Sequence, residues 1–248
     1  MMHTTLITGG ARGIGAATAR LLARQGHRLG IGYLRHETEA QALVDAIRAE
    51  GGDAIALQAD IADEAQVLAL FERLDRELGP LTGLVNNAAI LLPQGRIETL
   101  DAARINRILA TNVTGSILCA REAVKRMALR HGGRGGAIVN VSSAAARLGS
   151  PGEYLDYAAS KGAIDTLTRG LALEVADDGI RVNAVRPGFI ATDMHADGGD
   201  PDRIERIRAS IPMKRGGRPE EVAEAIAWLL SDAASYMTGG FLDVAGGR

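Results

Sequence analysis

In EYLDYAASK, residues 153–161, a lysine follows a tyrosine at four positions: Tyr157 and Lys161. The segment reads as helix, and residues four apart on a helix share a face, so both side chains can enter one cleft. A phenol beside an ammonium suits proton transfer to or from a reacting oxygen. A free phenol, with a pKa of about 10, is a poor acid at neutral pH. A neighbouring positive charge favours the phenolate and lowers that value, so Tyr157 could donate in one direction and accept in the other. Tyr154 has Ala158 at its +4 position and reads as a packing or substrate-lining residue. Ser142 and Ser143 end the apolar run VNVSS. A hydroxyl from either could hold a substrate oxygen as charge develops on it.

The partner for such a proton transfer is indicated at the other end of the chain. A predicted strand at 4–8 runs directly into TGGARGIG, residues 8–15, which opens a predicted helix. Gly9, Gly13 and Gly15, with Ile14 between the last two, stand where backbone N–H groups can approach a pyrophosphate at a helix N-terminus. The spacing is Gly-x-x-x-Gly-x-Gly rather than Gly-x-Gly-x-x-Gly. A dinucleotide site of this kind brings a nicotinamide, whose positive ring also favours the Tyr157 phenolate, and Lys161 could bond its ribose. Hydride to carbon and a proton to oxygen then make the reaction a carbonyl reduction or its reverse.

NAD sites commonly place an acid at the end of the second strand. Here Tyr33-Leu34-Arg35-His36 stands there, with no acid before Glu37. Arg12 and Arg35 could flank a 2′-phosphate, since arginine donates to phosphate in pairs, although both could equally be solvated surface residues. The reading favours NADP(H) over NAD(H). Asp60, after the third strand, could accept from the adenine amine, and Asn86, ending the fourth, could support the ribose region.

The elements that must position these groups alternate. Strands read at 4–8, 28–33, 53–58, 83–86, 136–141, 180–186 and 241–244. Helices read at 13–25, 37–50, 63–78, 101–130, 155–177 and 219–231. Asp63 can cap its helix, and Pro219-Glu220-Glu221 places proline and acids in a first turn. Such alternation implies right-handed βαβ units and a parallel sheet covered on both faces. The segment 191–218 is polar and long, with at most one short helix near 202–209, and reads as a substrate lid on a single domain spanning 1–248.

Composition narrows the classes. The 248 residues are 46% hydrophobic and carry a formal net charge of −2, which gives no electrostatic case for nucleic acid. No run approaches the roughly 18 apolar residues of a membrane span, and MMHTTLITGG has no charged leader. Cys119 is the only cysteine and reads as a buried small hydrophobe, so a reducing cytoplasm is expected. The five histidines show no metal-ligand spacing, so no metal is expected.

Together, TGGARGIG at 8–15, NNAA at 86–89, TNVTG at 111–115, VNVSS at 139–143, YAASK at 157–161 and RPGFIATDM at 186–194 resemble the short-chain dehydrogenase/reductase family. The resemblance covers nearly the whole chain. It implies an α/β fold: a single-domain, Rossmann-type, doubly wound seven-stranded parallel sheet with helices on both faces. It also implies a catalytic set of Asn112, Ser143, Tyr157 and Lys161, in which Asn112 holds a water that relays protons from Lys161. Pro187 and Gly188 would belong to the cofactor site, Thr192 in the segment after them would hold the nicotinamide carboxamide, and Ile190 would line the same pocket. Ala89 departs from the family, which usually has glycine there.

A narrower resemblance, carried by RINRILATNVTGSILCAREAVKRMALR, SPGEYLDYAASKGAIDTLTRG and TGGFLDVAGGR, is to bacterial oxidoreductases often labelled glucose 1-dehydrogenase-like. The expected activity is NADP(H)-dependent oxidation or reduction of a small carbonyl or alcohol. One rival is 3-oxoacyl-acyl-carrier-protein reductase: Lys125, Arg126, Arg130 and Arg134 could meet an acidic carrier, while Asp177-Asp178 counts against docking. A rival of another class is a non-catalytic NADP(H)-binding regulator. The resemblance further implies a homotetramer, with a dimer as second choice. The apolar face Ile105, Ile108, Leu109, Val113 and Ile117 could serve that assembly or the core.

Overall fold

The structure, a computed structural model, describes residues 3–248. Met1 and Met2, which begin the stretch read above for a leader, lie outside them. The strands are β1 (Thr4–Ile7), β2 (Arg28–Tyr33), β3 (Asp53–Gln58), β4 (Gly83–Asn86), β5 (Gly136–Val141), β6 (Ile180–Pro187) and β7 (Phe241–Val244). They pair in parallel as one sheet of order β3-β2-β1-β4-β5-β6-β7. The order reverses between β1 and β4, and such a switch point opens a crevice at the carboxyl ends of the strands.

Alternating strand residues bury opposite faces. Leu6, Leu57, Leu84, Ile138 and Val182 face one core, while Ile7, Ile31, Val85, Val139 and Val185 face the other. Helices α1 (Gly13–Arg24) and α2 (Glu37–Ala49) lie on the second face. Helix α3 (Glu64–Leu78) lies on the first, where Val67, Leu70, Phe71 and Leu74 form its apolar stripe. Asp63 caps α3 as expected, accepting from Ala65 and Gln66 N–H.

The predicted helix at 101–130 is broken by geometry rather than by a turn. Helix α4 (Ala102–Leu109) passes through a π-helical turn, Ala110–Gly115, into α5 (Ser116–Met127). One extra residue per turn rotates Asn112 inward, and π-turns of this kind concentrate at functional positions. Gly115 allows the turn to pass the β3–α3 connection, where an added Cβ would lie 2.7 Å from Ile61 Cγ1. A short helix not expected from the sequence, α6 (Ala145–Leu148), follows β5, and the long α7 (Leu155–Val175) follows it. The segment expected to hold at most one short helix holds two, α8 (Met194–Asp197) and α9 (Arg203–Ile207). The Glu221 carboxylate accepts from Arg218 N–H at 2.7 Å and starts α10 (Pro219–Leu230), which packs on α1. No helix among the described residues is long and apolar enough to cross a membrane.

Candidate active site

The β1–α1 turn follows the expected path. Gly9 has φ +61°, and a Cβ there would sit 2.9 Å from Ala88 Cα, so both backbone angle and space demand glycine. A Cβ on Gly15 would lie 2.5 Å from the Gly9 carbonyl oxygen. The N-terminus of α1 has no side-chain cap and no acid in its first turn, although Arg12 occupies the cap position. Its first N–H groups, at Gly13, Ile14 and Gly15, thus have no acceptor within the helix and can serve an anion. This fits a pyrophosphate.

Asn87, rather than Asn86, braces this turn. Its Nδ2 donates to the carbonyls of Thr8 at 3.0 Å and Gly9 at 2.9 Å. Asn86 is buried, and its Nδ2 donates to Ser116 O and Asn140 Oδ1. It ties β4 to β5 and α5, which differs from the ribose contact expected of it. The two asparagines alternate across the end of β4, so only one of them can face the crevice. Ala89 lines the cleft without adopting a positive φ, so alanine replaces the family's glycine without strain.

The two arginines part company. Arg12 turns to the segment after β6, with Asp197 Oδ2 at 3.1 Å and Asp193 Oδ2 at 3.6 Å. Those carboxylates lie over the turn and claim the guanidinium, so Arg12 does not stand free beside Arg35. Arg35 is exposed at the end of β2, with no acceptor among the described residues. Asp60 follows β3 and accepts from Ala62 N–H at 2.9 Å through Oδ1.

Tyr157 and Lys161 share one face of α7, and with Ser143 and Ile14 they line a single cleft. Pro187, Gly188, Ile190 and Thr192 line it too, and Thr192 Cγ2 lies against Gly13. Lys161 is buried and donates to Val141 O at 2.7 Å; its Nζ lies 5.6 Å from the Tyr157 ring centroid. Burial lowers the Lys161 pKa to about 8, against the pull of Asp165, which raises it. On the Tyr157 phenol, opposing influences meet. Burial pushes it up to about 12, while a hydrogen bond from Ser143 and the charge of Arg203 pull it down. The desolvation of a phenolate outweighs the neighbouring charges the chain supplies.

The adjacent serines have different duties. Ser142 is buried and bonds Asp165 Oδ1 at 2.6 Å and Lys161 O at 3.2 Å. Asp165 is in turn held by Arg186 Nε at 3.0 Å and Nη2 at 2.8 Å. Ser143 faces the cleft, and its Oγ accepts from Ala145 N–H at 3.0 Å. Asn112 has both side-chain polar atoms engaged. Oδ1 accepts from Ile90 N–H at 2.8 Å, and Nδ2 donates to Ile90 O and Ser160 Oγ, each at 3.1 Å. It ties the segment after β4 to α7 at Ser160, one residue before Lys161.

Asp165 and Arg186 were not singled out in the sequence. The signal was present: Asp165 is four residues after Lys161, continuing the Tyr157–Lys161 face. Tyr154, expected as packing or lining, is 1% exposed and donates to Gly198 O at 3.0 Å. Cys119 is buried as expected, and burial pushes its thiol up to about 12.

Residues 9–248 match the family model described as Enoyl-(Acyl carrier protein) reductase. The uncharacterized oxidoreductase YgfF of Escherichia coli (strain K12) is 63% identical over 247 residues, covering 100% of both chains. Cis-4-hydroxycyclohexanecarboxylate dehydrogenase of Sinomonas cyclohexanicum is 42% identical, covering 99% of this chain and 96% of that one. A blue fluorescent protein from a metagenomic library, solved in complex with NADPH, superposes with a TM-score of 0.91 at 36% identity, covering 99% and 97% of the two chains.

Proposed function

This chain belongs to the short-chain dehydrogenase/reductase family and is a nicotinamide-dependent oxidoreductase of alcohol and ketone groups; from that premise we propose reversible NADP(H)-dependent reduction of a small carbonyl compound, with Tyr157 as the proton donor. The observation that carries this reading is the convergence of Tyr157, Ser143, Lys161 and the glycine-turn residue Ile14 on one cleft. A bound nicotinamide supplies the hydride and, when oxidised, a positive charge. The chain's own residues do the rest. Ser143 holds the substrate oxygen, and Tyr157 passes it a proton. Lys161 holds the ribose and biases the phenol toward phenolate, while Ser142, Asp165 and Arg186 fix the floor beneath it. Asn112 sets the position of α7 near Lys161.

Gly9, Gly13, Ile14 and Gly15 hold the pyrophosphate, Asp60 the adenine, and Pro187, Gly188, Ile190 and Thr192 the nicotinamide end. The preference for NADP(H) rests on Arg35, an unpaired exposed cation at the end of β2, and the NADPH bound by the structural neighbour supports it. Segment 191–218 serves as the lid. The relative named for a hydroxycyclohexanecarboxylate supports a small secondary alcohol as substrate. Carrier docking is disfavoured by pairing within the chain. Lys125 and Arg126 bond the buried Glu122, and Arg130 pairs with Asp178. Exposed Leu109 and Ile117 support a homotetramer, and a lone protonated thiol suits a reducing cytoplasm. The test is cofactor absorbance with NADPH and NADH across small ketones, diketones, sugars and acyl-carrier thioesters. Turnover of small ketones with NADPH supports the reading; turnover confined to acyl thioesters, or none with any carbonyl, refutes it.

A further inference from the structure

The cleft carries a second polar feature that carbonyl chemistry leaves unused. Arg203, on α9, lines it and is 8% exposed. Its guanidinium stacks between two rings, 4.5 Å from the Tyr154 centroid and 5.1 Å from that of Phe189. One nitrogen, Nη2, bonds Glu153. Nε is buried without an acceptor, and Nη1 has none among the described residues. Beside it, His195 bonds Ile190 O at 2.9 Å through Nε2, leaving Nδ1 buried and unpartnered. Arg203, His195 and Tyr157 all line this one cleft.

Pinning Glu153 does not account for this arrangement. Arg206 also reaches Glu153, at 3.4 Å, and is itself paired with Asp200. A guanidinium enclosed by aromatic faces, with its Nη1 donors left over, suits a carboxylate oxygen, to which arginine gives charge-assisted hydrogen bonds. Burial, then the charge of Arg203, hold the His195 pKa below its usual value, against the pull of Ile190 O and Asp200. The His195 Nδ1 is the acceptor when Nε2–H faces a carbonyl.

We propose that Arg203 seats a carboxylate of the substrate, so that this enzyme acts on keto acids and hydroxy acids whose reacting oxygen lies at Tyr157. The inference rests on the reading that Tyr157 and Ser143 hold the reacting oxygen. Arg203 then determines specificity without touching the reacting atoms. A site with a buried donor set rejects ligands that cannot satisfy it, so the carboxylate should matter more than the length of the carbon chain.

The test compares keto acids of graded chain length with their neutral amides. Binding is measured by calorimetry on protein saturated with NADP, and turnover by cofactor absorbance. The best acid should bind about tenfold or more tightly than its amide. Arg203→Gln should abolish that difference. Glu153→Gln, which releases the guanidinium without removing it, should preserve or widen it. Equal binding of acid and amide by the unaltered protein overturns the proposal. So does parallel weakening of both ligands in Glu153→Gln, which would mark Arg203 as packing. An acid bound through Arg203 but never reduced would refute the proposed reaction and leave this subsite standing. Amides reduced as well as acids would do the reverse.

Discussion

The paired serines offer a sharp perturbation because one hydroxyl is built into the floor and its neighbour faces the cleft. A serine has one hydrogen, and the 2.6 Å contact to the Asp165 carboxylate claims it over the 3.2 Å contact to Lys161 O. Ser142→Ala removes that charge-assisted bond but leaves Asp165 with both Arg186 donors. A hydrogen bond to a charged group contributes about 1.5–3 kcal/mol. At roughly 2–4 °C per kcal/mol for a chain of this size, Tm should fall by about 3–12 °C. Turnover per folded molecule should stay within a few-fold. Ser143→Ala should do the opposite. It loses one acceptor for Ala145 N–H, with a Tm change of only a few degrees, but turnover should fall by about 10²–10³-fold, as when a donor to a developing oxyanion is removed. Circular dichroism melting and cofactor absorbance on both variants decide the matter. The reasoning fails if Ser142→Ala abolishes turnover at unchanged Tm while Ser143→Ala remains active.

Arg35→Ala should raise KM for NADPH by about tenfold or more while leaving KM for NADH nearly unchanged, because only the 2′-phosphate needs that cation. Arg12→Ala should have the smaller effect, since Asp193 and Asp197 already hold it; equal effects on both cofactors would contradict this division. Lys161 loses its ammonium as pH rises through about 8, so carbonyl reduction should decline above that value. A rate that climbs through the same range would refute the role given to the charge. His27 is held near 4 by burial and His3, below its usual 6.5. The unfolded chain therefore binds that proton first, and stability should fall as pH drops from 6.5 toward 4. The loss is about 1–2 kcal/mol once solvent screening at this partly open site is allowed for. Urea midpoints across that range should slope in the native protein and flatten in His27→Gln.

Much of the scaffold was legible because its signals are local. Each strand is a short apolar run bounded by turn residues, and observed and expected ends agree within one residue. The Tyr157–Lys161 face follows from helical spacing alone. Harder to read were features decided by contacts distant in sequence. The π-turn leaves no mark on the apolar pattern of 101–130, since one extra residue merely shifts the phase. Which asparagine of the pair at 86 and 87 faces the crevice depends on the pleat at the end of β4. Arg12 looked like a phosphate ligand until Asp193 and Asp197, more than 180 residues on, were seen to lie over it. For the phenol, the neighbouring charge was visible in the sequence, whereas the burial that pushes Tyr157 up to about 12 in the chain by itself was not.

The role of the phenol is tested most directly by removing its oxygen and nothing else. Calorimetric NADPH affinity and steady-state turnover should be measured together for Tyr157→Phe and Tyr154→Phe. In Tyr157→Phe, NADPH affinity should hold within about twofold while turnover falls by about 10²–10⁴-fold. Tyr154→Phe, which forfeits only a bond to Gly198 O, should lose far less. Substantial turnover in Tyr157→Phe, or the larger loss in Tyr154→Phe, would contradict proton transfer by Tyr157.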